Sequence, residues 1–229
     1  MSAEVIVPLA MSLFAPRSVV DVGCGSGEWL SAFERAGVER VYGLDAQWVG
    51  QDKLAIRPDC FQSTNLTGEW SIPGKFDLAV CLEVAEHLPE PTSTTFVKRL
   101  VEAAPAILFS AAVPGQEGTN HVNEQWPEYW EKLFSQYDYV CLDPFRRHIW
   151  QDRRVAWYYQ QNLYAYIQRT LVETSAVLRG EFERKRECAL TLIHPKILRP
   201  MKQTRPALRL LPALVRGTLR RKWDSLYKR

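Results

Sequence analysis

The stretch Val19-Val20-Asp21-Val22-Gly23-Cys24-Gly25-Ser26-Gly27-Glu28-Trp29 constrains this chain more than any other. Val19, Val20 and Val22 are β-branched and suit a buried strand. The glycines that follow allow positive φ and keep Cβ atoms away from anything lying over the turn. From Glu28 the pattern becomes helical, with Leu30 and Phe33 spaced to pack on a sheet. A strand that stops at such a turn lets a ligand approach the backbone at the strand's carboxyl end, where open α/β sheets bind cofactors.

The spacing G-x-G-x-G differs from the dinucleotide fingerprint G-x-G-x-x-G. Asp21 at the strand end would repel a pyrophosphate and suit a cationic or amino-bearing ligand. A second strand, Val41 to Leu44, ends in Asp45, placed to accept both hydroxyls of a ribose or, equally, to cap a helix. Taken together, Asp21, Gly23, Gly25, Gly27 and Asp45 resemble the first motifs of class I S-adenosylmethionine (SAM) methyltransferases. The resemblance implies a Rossmann-like α/β fold: a mostly parallel seven-stranded sheet with helices on both faces. It places Gly23, Cys24, Gly25 and Gly27 against the methionine part of SAM, Asp21 near its ammonium, and Asp45 and Ala46 at the ribose. Asn65-Leu66 falls where the family often has Asp-Leu contacting adenine, and Asn still accepts from an exocyclic amine. Leu82 and Glu83 would border the sulfonium.

The remaining chain fits that architecture. A lead-in helix is expected over about 4–14, strands at Ser18 to Val22, near Cys60-Phe61, at Phe76 to Leu82 and at Ala106 to Ser110, and helices at about 93–103 and 128–136. Tyr137 to Leu142 and Asn162 to Gln168 read as a closing antiparallel pair. Trp157-Tyr158-Tyr159 is open to a strand reading, and Leu171 to Cys188 reads as helix. With 229 residues, the chain suits one domain, about 1–200, and a tail, 201–229. Five dispersed cysteines argue for a reducing compartment and against disulfides or structural zinc. The apolar run Val5 to Phe14 is too short to span a bilayer, which points to a cytoplasmic protein.

A second constellation lies in Cys81-Leu82-Glu83-Val84-Ala85-Glu86-His87-Leu88-Pro89. On a helix, Glu83, Glu86 and His87 would share one face, and two carboxylates with an imidazole repel unless something positive sits among them. His121 follows the fifth strand, whose loop would adjoin this one. E-x-x-E-H with a later His resembles two groups of metal-dependent O-methyltransferases, the small-RNA 2′-O type and the ubiquinone-biosynthesis type. The resemblance implies a divalent metal (Mg, Mn, Fe, Co or Zn) on Glu83, Glu86, His87 and His121, with Glu83, His87 and His121 in catalytic contact. Similar stretches also occur in metal-free class I enzymes, where a histidine is the general base. Trp126 and Trp130 suit ring stacking or plain packing. The cluster Arg146, Arg147, His148, Trp150, Arg153, Arg154 suits an anionic or glycan acceptor or a solvated turn. The Phe109 to Gln161 stretch also resembles small bacterial glycan and natural-product methyltransferases.

The expected activity is therefore SAM-dependent O-methylation of a small molecule or glycan. The alternatives are a metal-independent O- or N-methyltransferase and an RNA 2′-O-methyltransferase, although the core shows no RNA-binding module. The tail carries nine basic residues against Asp224, interleaved with leucines, and suits a peripheral membrane face or a partner helix.

Overall fold

A computed structural model of the chain describes residues 2–46, 53–185 and 192–197. It divides into two compact units, 1–192 and 193–229. In the second, the described residues form one turn, in which Ile197 N–H donates to the His194 carbonyl. The basic tail and the proposed boundary near 200 lie outside the described residues.

The first unit is built on seven strands: β1 Ser18–Val22, β2 Arg40–Asp45, β3 Phe61–Ser63, β4 Leu78–Leu82, β5 Ala106–Ser110, β6 Tyr139–Leu142 and β7 Tyr164–Gln168. Their order is β3-β2-β1-β4-β5-β7-β6, with β7 antiparallel to both neighbours and every other pairing parallel. The helices are α1 Ser2–Phe14, α2 Glu28–Arg35, α3 Ser93–Ala103, α4 Pro127–Ser135, α5 Arg146–Ile149, α6 Trp157–Asn162, α7 Arg169–Thr174 and α8 Ala176–Lys185.

Strand alternation sends side chains to two cores. Val19, Leu78, Val80 and Leu108 meet Ile6, Val7 and Ala10 of α1 and Leu30 and Phe33 of α2. Val20, Val22, Ala79, Cys81 and Ile107 meet Phe96, Val97 and Leu100 of α3 and Trp130 and Phe134 of α4. All five residues of β4 are buried, as a central parallel strand covered on both faces requires. Strand order reverses between β1 and β4, so the crevice for a ligand opens at their carboxyl ends.

Two sequence expectations change. Trp157-Tyr158-Tyr159 is helical, because Ala156 in extended conformation starts α6 and Leu163 stops it just before β7. The helix expected over 171–188 is two helices, broken at Ser175, whose backbone is extended at φ −104°, ψ 118°; Cys188 lies outside the described residues. Trp130 packs into the core, while Trp126 stays exposed. Cys24, Cys60, Cys81 and Cys141 are free and buried. Among the described residues no helix is long and apolar enough to cross a membrane.

Candidate active site

β1 ends in Asp21 and Val22, and the chain turns on Gly23 at φ +86° and Gly25 at φ +54°. An ideal Cβ on Gly23 would collide with Val84 Cγ2, so glycine is required for the β4 loop to approach. Gly25 has open space in the Cβ direction, where a ligand can lie against the backbone. Its N–H donates to Asp45 Oδ2 at 2.6 Å, and Ala46 N–H donates to Asp45 Oδ1 at 2.6 Å. The second-strand carboxylate is thereby fixed beside the turn with lone pairs to spare.

A cavity of about 530 Å³ runs from there to the β4 loop. At one end it is lined by Gly23, Gly25, Asp45, Ala46, Asn65 and Leu66, and at the other by Glu83, Val84, His87, Leu88, Thr119 and Asn120. Four residues expected at the cofactor are not among those lining this cavity. Cys24 is buried beneath the turn, its sulfur packed toward Gly43. Gly27 closes against Ile56 at the start of α2. Leu82 points into the core shared with α1 and α2. Asp21 is 2% exposed, under the turn and not on the cavity wall. Burial and the neighbouring Asp45 charge hold the Asp21 carboxyl well above its ordinary range. Asn65 lines the cavity, but its Oδ1 already accepts Thr67 N–H at 3.0 Å and Thr67 Oγ at 2.7 Å.

The β4 loop does not form the expected helical face. Glu83 has φ +55°, and a 3-10 turn, Ala85–His87, follows. The Glu83 carboxylate is engaged by amides from two other segments. Its Oε2 accepts Gln116 Nε2–H at 2.6 Å and its Oε1 accepts Asn162 Nδ2–H at 3.1 Å. Among the described residues, Glu86, His87 and His121 instead bring one ligand atom each within 4.8 Å of one another, without Glu83.

Glu86 is fully buried, and neither carboxylate oxygen has a hydrogen-bond partner. Burial, reinforced by Glu83, pushes its carboxyl up to about 8 against the weaker pull of the Glu86 and Ala112 amides. The imidazoles meet edge to face, ring centres 5.0 Å apart. His121 Nδ1 lies 3.0 Å from Glu124 Oε1, and His87 Nδ1 lies 3.3 Å from the Asn120 carbonyl. Both partners accept, so each Nδ1 carries the proton and each Nε2 keeps its lone pair. One orphaned buried carboxylate with two such imidazoles is a donor set that suits a divalent cation.

Sequence reasoning missed Thr119, Asn120, Gln116, Glu124 and Asn162. Asn120 stands at φ +60°, a conformation asparagine tolerates, directly before His121. Glu124 is three residues after His121, a spacing that is legible once His121 is suspected. Gln116 and Asn162 carry no motif. A larger cavity, about 580 Å³, is lined by Asp143, Arg146, Arg147, His148, Trp150 and Glu181. Its arginines are already matched by acids: Arg146 with Asp143 and Arg147 with Glu181.

Comparison with known proteins agrees with this architecture. Residues 3–110 match the family model of a methyltransferase domain. The ubiquinone biosynthesis O-methyltransferase of Methylococcus capsulatus is 31% identical over 112 residues, covering 44% of this chain and 46% of that protein. The one from Klebsiella pneumoniae is 33% identical over 120 residues, covering 46% and 49%. The chain thus spans about half the length of these curated relatives. Among solved structures, small RNA methyltransferase HEN1 superimposes with a TM-score of 0.55 at 15% identity, over 73% of this chain and 25% of that one. Magnesium protoporphyrin IX methyltransferase from Synechocystis, solved with bound SAH, gives 0.52 at 18% identity, over 72% and 81%. Residues 3–110 thus match a methyltransferase domain, and the seven-stranded sheet has the fold of the solved methyltransferases. The curated relatives described above are O-methyltransferases of ubiquinone biosynthesis, and the stretch matched by the family model holds the glycine turn, Asp45 and the β4 loop.

Proposed function

We propose that this chain binds SAM in the 530 Å³ cavity and transfers its methyl group to a hydroxyl of a small-molecule or glycan acceptor. The observation that carries this reading is the lining of that one cavity: glycine turn, Asp45 and Asn65-Leu66 at one end, Glu83 and His87 at the other. When bound, the donor supplies an electrophilic methyl. Asp45 takes the ribose hydroxyls on the lone pairs that Gly25 and Ala46 leave free. Leu66 flanks the adenine, and the ammonium of a bound donor near the glycine turn would favour the charged form of the buried Asp21 beneath it. The acceptor lies at the His87–His121 end, where proximity and orientation supply much of the rate.

The same end would hold a divalent cation on Glu86, His87 and His121, which would lower the pKa of an acceptor hydroxyl. Glu83, expected in that set, supports the donor side instead. A second reading follows from the His121–Glu124 pair: an imidazole oriented by a carboxylate is equipped to take the acceptor proton directly. Titration calorimetry tests the donor site. Wild-type protein is expected to bind SAM, and Asp45→Ala to bind it at least about tenfold more weakly, the loss of a charge-assisted pair of hydrogen bonds. Unchanged affinity in Asp45→Ala would refute the assigned pose.

A further inference from the structure

Glu83 is the one expected ligand that stands outside the cation cluster, and its surroundings give it another task. Its carboxylate closes a ring of three hydrogen bonds. Gln116 Nε2–H donates to Oε2 at 2.6 Å, Asn162 Nδ2–H donates to Oε1 at 3.1 Å, and the same Asn162 nitrogen donates to Gln116 Oε1 at 2.7 Å. The three residues come from the end of β4, the loop after β5 and the end of α6 just before β7. They are 33 and 79 residues apart in sequence, so only the finished fold brings them together.

The backbone is fixed as firmly. Glu83 N–H donates to the Ser110 carbonyl at 3.0 Å and to Ser110 Oγ at 3.1 Å. A glutamate at φ +55° is held in a sparsely populated conformation, and surrounding bonds must over-determine it. Burial holds the Glu83 carboxyl above its ordinary range, and the N–H groups of Gln116 and Asn162 pull against it, so that a cationic ligand on the cavity side would favour the charged form. Glu83 nonetheless lines the donor cavity, where none of the described lining residues is lysine or arginine. The carboxylate therefore borders the space a ligand would occupy, with the imidazole of His87 on the same wall and His121 near enough to interact with it.

We infer that Gln116 and Asn162 are positioning residues that hold the Glu83 carboxylate toward the donor cavity, where its charge favours a sulfonium over a neutral sulfide. The inference rests on the proposed SAM site. Its consequence is discrimination between donor and spent product: SAM carries the sulfonium charge and S-adenosylhomocysteine does not. Release of the product is then assisted, because the attraction disappears with the methyl group. A cation at the Glu86–His87–His121 cluster would then take three protein ligands, with Glu83 left for this role.

The test measures dissociation constants for SAM and S-adenosylhomocysteine by calorimetry, and for Co²⁺ by absorption titration. Wild type, Glu83→Gln, Gln116→Met and Asn162→Ala are compared. Gln116→Met keeps the side-chain volume on a half-buried loop, so it reports the amide even if the buried Asn162 variant fails to fold. Glu83→Gln is expected to lower the preference for SAM over its product about tenfold, the size of one charge pair several ångströms apart in a partly screened cavity. Gln116→Met should move the ratio the same way by about threefold, with Co²⁺ affinity unchanged in both. A purely structural role would weaken both nucleosides equally and leave the ratio unmoved, which overturns the inference. So would a large loss of Co²⁺ affinity in Glu83→Gln, which would make Glu83 a metal ligand. Failure of wild type to bind either nucleoside is a different result: it removes the SAM reading itself.

Discussion

At Gly23 the backbone stands at φ +86° with Val84 filling the space a side chain would need. Gly23→Ala therefore combines left-handed strain with overpacking and is expected to destabilise by about 2–4 kcal/mol, measured by urea unfolding. The neighbouring Asp21 presents the opposite problem, a carboxylate buried without a counter-charge. Its folded-state pKa is raised, so the stability it contributes is complete below the ordinary carboxylate range and is lost as pH climbs through the raised value. Without ligand, Asp21→Asn should gain on wild type as pH rises from 4 to 8, by up to about 1.4 kcal/mol per pH unit within the titrating window. Urea unfolding at both ends of that range checks it, and equal shifts for the two proteins would contradict it. The glycine turn was legible because glycines directly after a β-branched run have few explanations, whereas the burial of Asp21 under the turn was not. The helical face expected of Glu83, Glu86 and His87 is absent because spacing i, i+3, i+4 aligns side chains only on a helix, and a positive φ at a non-glycine leaves no mark in composition.

Among the elements, strands announced themselves best. β1, β4 and β5 are short apolar runs bounded by polar or glycine residues, and α3 lies over 93–103 as its apolar spacing implied. The β6–β7 connection was harder to read, because α5 and α6 are short and owe their place to tertiary contacts. Arg146 shows how. It is 1% exposed, its guanidinium bonded to Asp143 at 2.9 and 2.7 Å and to the Gln161 carbonyl at 3.0 Å, and it lies over the Tyr164 ring. An arginine in a basic run reads as surface, yet this one ties α5 to the end of α6 and to β7. Arg146→Ala leaves the half-buried Asp143 without its cation and should destabilise by about 2–3 kcal/mol, below the cost of breaking a fully buried pair. Replacing both partners by apolar residues of similar size should recover most of that loss, and a double-mutant cycle in urea measures the difference.

On the scale of the molecule, two neighbouring sites share one sheet edge. The cavity along β1 and β2 is an acidic, glycine-floored slot; the cluster beside it has one buried carboxylate and two imidazoles. The loops that carry both were legible in the sequence, because each follows a strand's carboxyl end, but the separate hydrogen-bond surroundings of Glu83 and Glu86 emerge only from how distant segments meet. A divalent cation and a histidine base make different demands on this arrangement. A cation that binds the folded protein alone raises its stability by RT ln(1 + [L]/Kd), about 2.7 kcal/mol when the ion is at a hundred times Kd. Thermal unfolding with Mn²⁺ or Co²⁺ should therefore rise in wild type, and the rise should vanish in Glu86→Gln and His121→Ala but persist in Glu83→Gln. If chelated protein unfolds at the same temperature as protein with excess ion, the cluster binds no metal, and His121, aligned by Glu124, becomes the base. In that case Glu124→Gln should lower the rate of methyl transfer while leaving SAM affinity untouched, since the carboxylate bears on the imidazole and not on the donor slot.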